Sequence, residues 1–150
     1  MTFSKLKTMK EERGFTIVEL LIVIVIIAIL AAIVIVAYNG IQNRARTSAA
    51  QSTAQTVQQK LEAYNAEVGN YPATWSLMTA DSTKSYYVNG VTLKASGNPG
   101  SSDSTATFSL YSCTGGGFKV NTYNWNTPGT DSIYVGPASS SSTCTTQIAS

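Results

Sequence analysis

Between Leu20 and Ala37 the chain places eighteen apolar side chains in succession, fourteen of them Leu, Ile or Val. No other stretch restricts the fold as much. At about 1.5 Å of rise per residue the run makes roughly 27 Å of helix, close to the ~30 Å hydrocarbon core of a bilayer. On an insertion scale, fourteen such residues at about −0.3 to −0.6 kcal/mol each contribute roughly −4 to −8 kcal/mol. The carboxylate at its start, Glu19, costs about +3 kcal/mol at most and less near the interface, so the segment inserts. Eleven of the eighteen are β-branched, which in water favours strand. Lipid reverses that preference, because a lone spanning segment satisfies its backbone groups only as a helix.

Charge is distributed unevenly around this run. Residues 1–14 carry Lys5, Lys7, Lys10 and Arg13 against Glu11 and Glu12, a balance of 4 − 2 = +2. The other 136 residues carry six basic and six acidic side chains, a balance of zero. The formal charge of the chain therefore belongs to its first fourteen residues, and a basic nucleic-acid surface on the remainder finds no support. Four cations before the run, against Arg44 and Arg46 close after it, place the N-terminus in the cytoplasm.

The residues at the junction are Arg13-Gly14-Phe15-Thr16-Ile17-Val18-Glu19. This sequence resembles the processing site of type IV pilins and the related pseudopilins. The resemblance continues through Leu20-Leu21-Ile22-Val23 to Ala31-Ala32-Ile33 and Tyr38; it covers about forty residues strongly and the rest in layout only. It implies a leader of residues 1–14, cut between Gly14 and Phe15 by a membrane prepilin peptidase that then methylates the new Phe15 amine. It also implies that Glu19 serves assembly by pairing with that amine on a neighbouring subunit. The chemistry agrees. Gly14 lets a protease approach the backbone closely, and a carboxylate at the head of a lipid-buried helix is a functional group by default.

Two other readings explain parts of the same segment. Thr16-x-x-Glu19 has the spacing of a capping box, with Glu19 at the positive end of the helix dipole, a role compatible with pairing. An ordinary secretory signal cut after Ala37 would release an adhesin or binding module. Its site would be poor, because Ile35 stands where a small residue belongs, and the apolar run exceeds the usual ~7–15 residues. It also leaves Glu19 unexplained.

Many pilins carry a Gly midway along the membrane segment and a Pro before the Ala-Tyr pair; Ala28 and Val36 stand there instead. Nothing between Phe15 and Asn39 obliges a kink, so a straighter helix is expected.

After Ala37 the helix is expected to continue as an amphipathic one. Val57, Leu61, Tyr64 and Val68 form a stripe at steps of four, three and four, suited to covering a sheet. Gly69 is placed as a C′ cap and Asn70-Tyr71-Pro72 as a stop. The remainder reads as short strands. Asn89-Gly90 between Tyr86-Tyr87-Val88 and Val91-Thr92-Leu93 is the signature of a type I′ hairpin. Residues 106–113, 118–125 and 133–135 are further strands, with Gly115-Gly116-Gly117 as a turn and Ser139–Ser142 as loop. The fold class is therefore α+β: a long N-terminal α-helix packed on a small antiparallel β-sheet head of about four strands. Its parts are the leader (1–14), a transmembrane and polymerisation helix (15–38), its amphipathic continuation (39–69) and the head (70–150).

Cys113 and Cys144 are the only cysteines, and there is no histidine. Without a C-x-x-C spacing a zinc site is not expected, and in an exported chain the pair reads as one disulfide rather than two buried thiols. Closing about 30 residues, it stabilises the head by roughly 3–4 kcal/mol.

No catalytic set is present. A His base is missing, the carboxylates are scattered, and no G-K-[ST] follows the three glycines. The aromatics Tyr86, Tyr87, Tyr111, Tyr123, Trp125 and Tyr134 are expected to be exposed and able to bind a sugar or another protein; sheet packing or subunit contact is the preferred reading. The expected function is a structural pilin subunit, not an enzyme, with no cofactor or metal, built into a fibre for adhesion, motility or DNA uptake. A pseudopilin of a type II secretion or competence system shares the same signal. Expected partners are the peptidase/methyltransferase, other subunits, the membrane platform of the assembly machine and membrane lipid. The expected location is the cytoplasmic membrane before assembly and an extracellular fibre after it.

Overall fold

The computed structural model describes residues 14–138 and 143–148. The expected loop over Ser139–Ser142 lies outside the described residues, as does nearly all of the leader. The chain divides into two compact units, Met1–Tyr38 and Asn39–Ser150. One α-helix, α1 (Ile17–Val68), contributes to both.

In the first unit every Leu, Ile and Val from Leu20 to Val36 is exposed. The segment is long and apolar enough to cross a membrane, by length and composition. Among the described residues nothing in this unit takes those side chains out of water, and a bilayer or a second apolar helix does so at about 25 cal/mol per Å² covered.

In the second unit α1 buries Thr47, Ala50, Ala54, Val57, Leu61 and Tyr64. The steps alternate three and four, which keeps one face of a 3.6-residue helix turned inward. The sequence stripe is thus correct at Val57, Leu61 and Tyr64 and wrong at Val68, which is 46% exposed. Val68 is the last residue of the helix. The small residues at the other end were not anticipated. Ala50 and Ala54 are each 1% exposed, and a short side chain there lets the backbones approach closely.

The helix stops as expected. Gly69 adopts φ +85°, and its N–H donates to Asn65 O at 2.8 Å, the single bond of an αL cap.

Among the described residues five strands follow: β1 (Thr92–Leu93), β2 (Thr107–Cys113), β3 (Phe118–Asn124), β4 (Gly129–Val135) and β5 (Cys144–Gln147). The order is β1-β2-β3-β4, and β5 also pairs with β2. One edge of β2 is therefore shared. β1 lies beside Thr107 and Phe108, whereas β5 lies beside Tyr111, Ser112 and Cys113. The β2·β3, β3·β4 and β2·β5 pairings are antiparallel, but β1 runs parallel to β2. The sheet is mixed rather than wholly antiparallel.

The expected hairpin at Asn89-Gly90 does not form. A type I′ turn needs positive φ at both central residues, and among the described residues only glycines, Gly90 included, have it. Competition for backbone partners explains the outcome. Val88 N–H donates to Met78 O at 3.0 Å, in the short 3₁₀ turn Trp75–Met78, and buries its side chain there. Thr92 N–H and Lys94 N–H donate to Ala106 O and Phe108 O. The two halves of the predicted hairpin thus serve different neighbours, and tertiary burial overrides the local turn preference.

The core joins Val57, Leu61 and Tyr64 of α1 to Phe108 and Leu110 of β2, Phe118 and Val120 of β3, and Val135 of β4. Trp75 meets Phe108 edge-on at 4.9 Å between ring centroids. The aromatics considered as exposed are not. Trp125 is buried, and Tyr86, Tyr87, Tyr111, Tyr123 and Tyr134 are half-buried; Tyr86 packs on Tyr64 and Tyr123 on Trp125. Such pairs are worth about 0.5–1.5 kcal/mol beyond their buried area.

Candidate functional site at the head of α1

Gly14, Phe15 and Thr16 precede the first helical turn, and Glu19 lies within it. Thr16 is the N-cap. Its carbonyl accepts Leu20 N–H at 3.2 Å, the first bond of the helix. Its hydroxyl oxygen accepts Glu19 N–H at 3.2 Å, and its own N–H donates to Glu19 Oε2 at 2.8 Å. The hydroxyl also donates to Oε2 at 2.8 Å. This is a complete capping box, closing two of the backbone donors that a helix start otherwise leaves open. The acidic side chain also faces the positive end of the helix dipole. Among the described residues, all the bonds to the carboxylate fall on Oε2.

Phe15 is 90% exposed. At Gly14, a side chain would meet no atom within 4 Å, and the residue is not among the glycines at positive φ. Neither space nor backbone conformation in the described chain requires glycine at position 14.

The structure joins Cys113 to Cys144 by a disulfide, linking the end of β2 to the start of β5. Neighbouring bonds reinforce that connection. Thr114 N–H and its hydroxyl both donate to Thr143 O. From β5, Gln147 Nε2 donates to Lys94 O at 2.7 Å, and Gly97 N–H donates to Gln147 Oε1 at 2.9 Å. The link thereby reaches the segment that lies along the other end of β2.

The head carboxylates all hold structural partners. Glu67 is bonded by Lys84 and Ser85, and Lys84 holds its carboxyl below the usual range. Asp103 accepts Lys94 Nζ at 2.6 Å and Gly100 N–H at 2.7 Å, and is likewise lowered. The two hydrogen bonds from Thr83 lower Asp81. Asp131 takes amide donors from Gln51 and Asn124 at the rim of an open cavity of about 250 Å³. That cavity offers carboxamides, hydroxyls and one carboxylate, but no nucleophile next to a base. Among the described residues no three metal-capable side chains come together.

Two arrangements have no local mark in the sequence. Glu62 Oε2 accepts the Tyr71 hydroxyl at 3.0 Å, while Oε1 accepts Gly136 N–H at 2.9 Å. Thr47 Oγ1 accepts the N–H groups of Trp125 and Asn126 and donates to Asn124 Oδ1. Both connect positions more than seventy residues apart. Only the spacing of Thr47 with Ala50 and Ala54 could have indicated the second.

Residues 9–35 match a family model described as the prokaryotic N-terminal methylation motif. The chain thus carries the class III signal of type IV pilins and pseudopilins. The matched residues include Gly14-Phe15, Glu19 and most of the apolar run. Searches among curated proteins and among solved structures each found no match. The motif points to a structural subunit rather than an enzyme. With the apolar helix, it also points to membrane anchoring before assembly, processing by a peptidase and association with other subunits.

Proposed function

We propose that this chain is the precursor of a type IV pilus subunit, cut between Gly14 and Phe15, methylated at Phe15 and polymerised through the apolar part of α1 into an extracellular fibre. The methylation motif over residues 9–35 is the observation that carries this reading. The adhesive, motile or DNA-uptake role of the fibre follows from the pilin resemblance alone.

Three features of the chain support the steps. Gly14 is free of any internal requirement for glycine, so the demand for a small residue falls on an outside agent that handles the backbone, as a peptidase does. Cleavage there removes the +2 of residues 1–14 and creates an α-amine next to an apolar helix. Thr16 and Glu19 both lie on the retained side, so the capping box survives the cut.

Capping and subunit pairing do not compete for the carboxylate. An ionised carboxyl has about four acceptor positions on two oxygens, and the capping bonds use Oε2. In this proposal Oε1 takes the methylated Phe15 amine of a neighbouring subunit. In lipid an uncompensated carboxylate is costly, so one amine per Glu19 would set the register of each incoming subunit.

Electron microscopy of shear-released fibres, with their protein identified, tests the reading. The chain should be found in them, beginning at Phe15; fibres lacking it, in cells that make and process it, would count against a pilin. A pseudopilin shares the motif and would be processed without being displayed in long fibres.

A further inference from the structure

We propose that Asn89-Gly90 is a site of spontaneous modification, at which the folded head converts an asparagine into an acidic residue. The sequence has two Asn-Gly dipeptides, Asn39-Gly40 and Asn89-Gly90, and the fold treats them oppositely. Asn39-Gly40 lies inside α1, where the Gly40 N–H is committed to the helix ladder. Asn89-Gly90 lies outside every helix and strand, with both residues exposed. Among the described residues, neither the Asn89 side chain nor the Gly90 N–H makes a hydrogen bond. Nothing lies within 4 Å of where a Gly90 side chain would stand, and Gly90 sits at φ +72°.

Those features leave the Gly90 nitrogen and the Asn89 side chain open to ring closure. The Gly90 backbone nitrogen attacks the Asn89 side-chain carbonyl carbon. An N–C bond forms, the nitrogen gives up its proton, and the side-chain nitrogen leaves as ammonia. Water then opens the resulting five-membered imide at either carbonyl, giving aspartate or isoaspartate at position 89. No oxidant or reductant is needed. A β-carbon on the following residue would crowd the attacking nitrogen, and glycine has none. A hairpin would have pinned this dipeptide by ladder bonds on either side. Its two flanks are instead anchored separately, Val88 to Met78 and Thr92 to Ala106, and the dipeptide bridges them without a bond of its own.

The product carries one new carboxylate. Residues 15–150 hold six basic and six acidic side chains, so their side-chain balance moves from 6 − 6 = 0 to 6 − 7 = −1. An exported protein that is not replaced would therefore acquire a negative charge at this loop with age.

The test uses the purified full chain in detergent, held at mildly alkaline pH. Digestion after Tyr38, Arg44, Tyr87 and Lys94 separates the two dipeptides into different peptides for mass spectrometry. The Asn89 peptide should convert at least about tenfold faster than the Asn39 peptide, because opening α1 at Gly40 costs more than the ~1.4 kcal/mol that a factor of ten represents. In denaturant the two rates should converge. The aged protein should also comigrate on isoelectric focusing with Asn89→Asp, and Asn89→Gln should remove the acidic species. An Asn89 peptide that keeps its amide, or equal rates in the folded protein, would overturn the proposal.

Discussion

Thr16 and Glu19 hold each other in both directions at the start of α1: the threonine oxygen accepts the glutamate N–H, and the glutamate Oε2 accepts the threonine N–H. Because the same carboxylate is proposed to pair with a neighbouring amine, its two roles have to be separated by chemistry rather than by deletion. A glutamine at position 19 keeps an acceptor for the cap but removes the charge. Glu19→Gln should therefore insert and be processed normally yet assemble poorly. Thr16→Ala should weaken the helix start by about 1 kcal/mol and leave assembly largely intact. Processing blots and fibre yields for both variants check this; normal fibre yield from Glu19→Gln would count against the pairing.

At Gly14 the fold has room for a side chain, so a larger residue there should disturb only the peptidase. Gly14→Val is expected to accumulate as uncut precursor in the membrane fraction, with the head as resistant to proteolysis as in the wild type. Efficient cutting of this variant would place the requirement for glycine elsewhere.

Gly136, the residue after β4, lies close against Tyr71. A β-carbon at Gly136 would collide with the Tyr71 hydroxyl and ring, and φ +70° is itself unfavourable for other residues. Gly136→Ala should cost roughly 2–4 kcal/mol from strain and overpacking together. Burial, followed by the bond to Glu62, raises the Tyr71 pKa. A group whose folded pKa is raised contributes stability that is complete below its unfolded value, about 10 for tyrosine. That stability is lost as pH rises through the folded value. Alkaline melting curves should fall above this range in the wild type and fall less in Tyr71→Phe. Identical alkaline limbs would show that Tyr71 is not the group concerned.

The disulfide closes a 31-residue separation, so losing it should lower head stability by about 3–4 kcal/mol. Paired replacement, Cys113→Ser with Cys144→Ser, should also release β5, and through Gln147 the backbone of Lys94 and Gly97. Hydrogen exchange should then rise first in residues 94–97 and 144–148. Exchange confined to the cysteines' immediate neighbours would contradict this coupling.

What could be read in advance was whatever depends on near neighbours in sequence. The apolar run, the Thr16–Glu19 spacing and the Gly69 stop are set within one or two helical turns, and each appears at its expected position. The strands at 107–113 and 118–124 announced themselves by alternation, since Phe108, Leu110, Phe118 and Val120 all face the core. Failures arose where a distant partner decided. Asn89-Gly90 has the composition of a tight turn, but Met78 and Ala106 take the backbone groups that a hairpin would have used. Val68 continues the stripe in sequence but, as the last residue of α1, is left exposed. Glu62, Tyr71 and Gly136 form one unit that no local pattern marks, because its members come from a helix, a loop and the end of a strand. At the N-terminal site, the geometry adds the free conformation of Gly14 and the single oxygen used by the cap.

Mass spectrometry of the N-terminus of the mature protein tests the central claim most directly. The account predicts a chain that begins at Phe15 and carries one added methyl group on its amine. A chain beginning near Tyr38, as an ordinary signal peptide would leave it, would contradict the account.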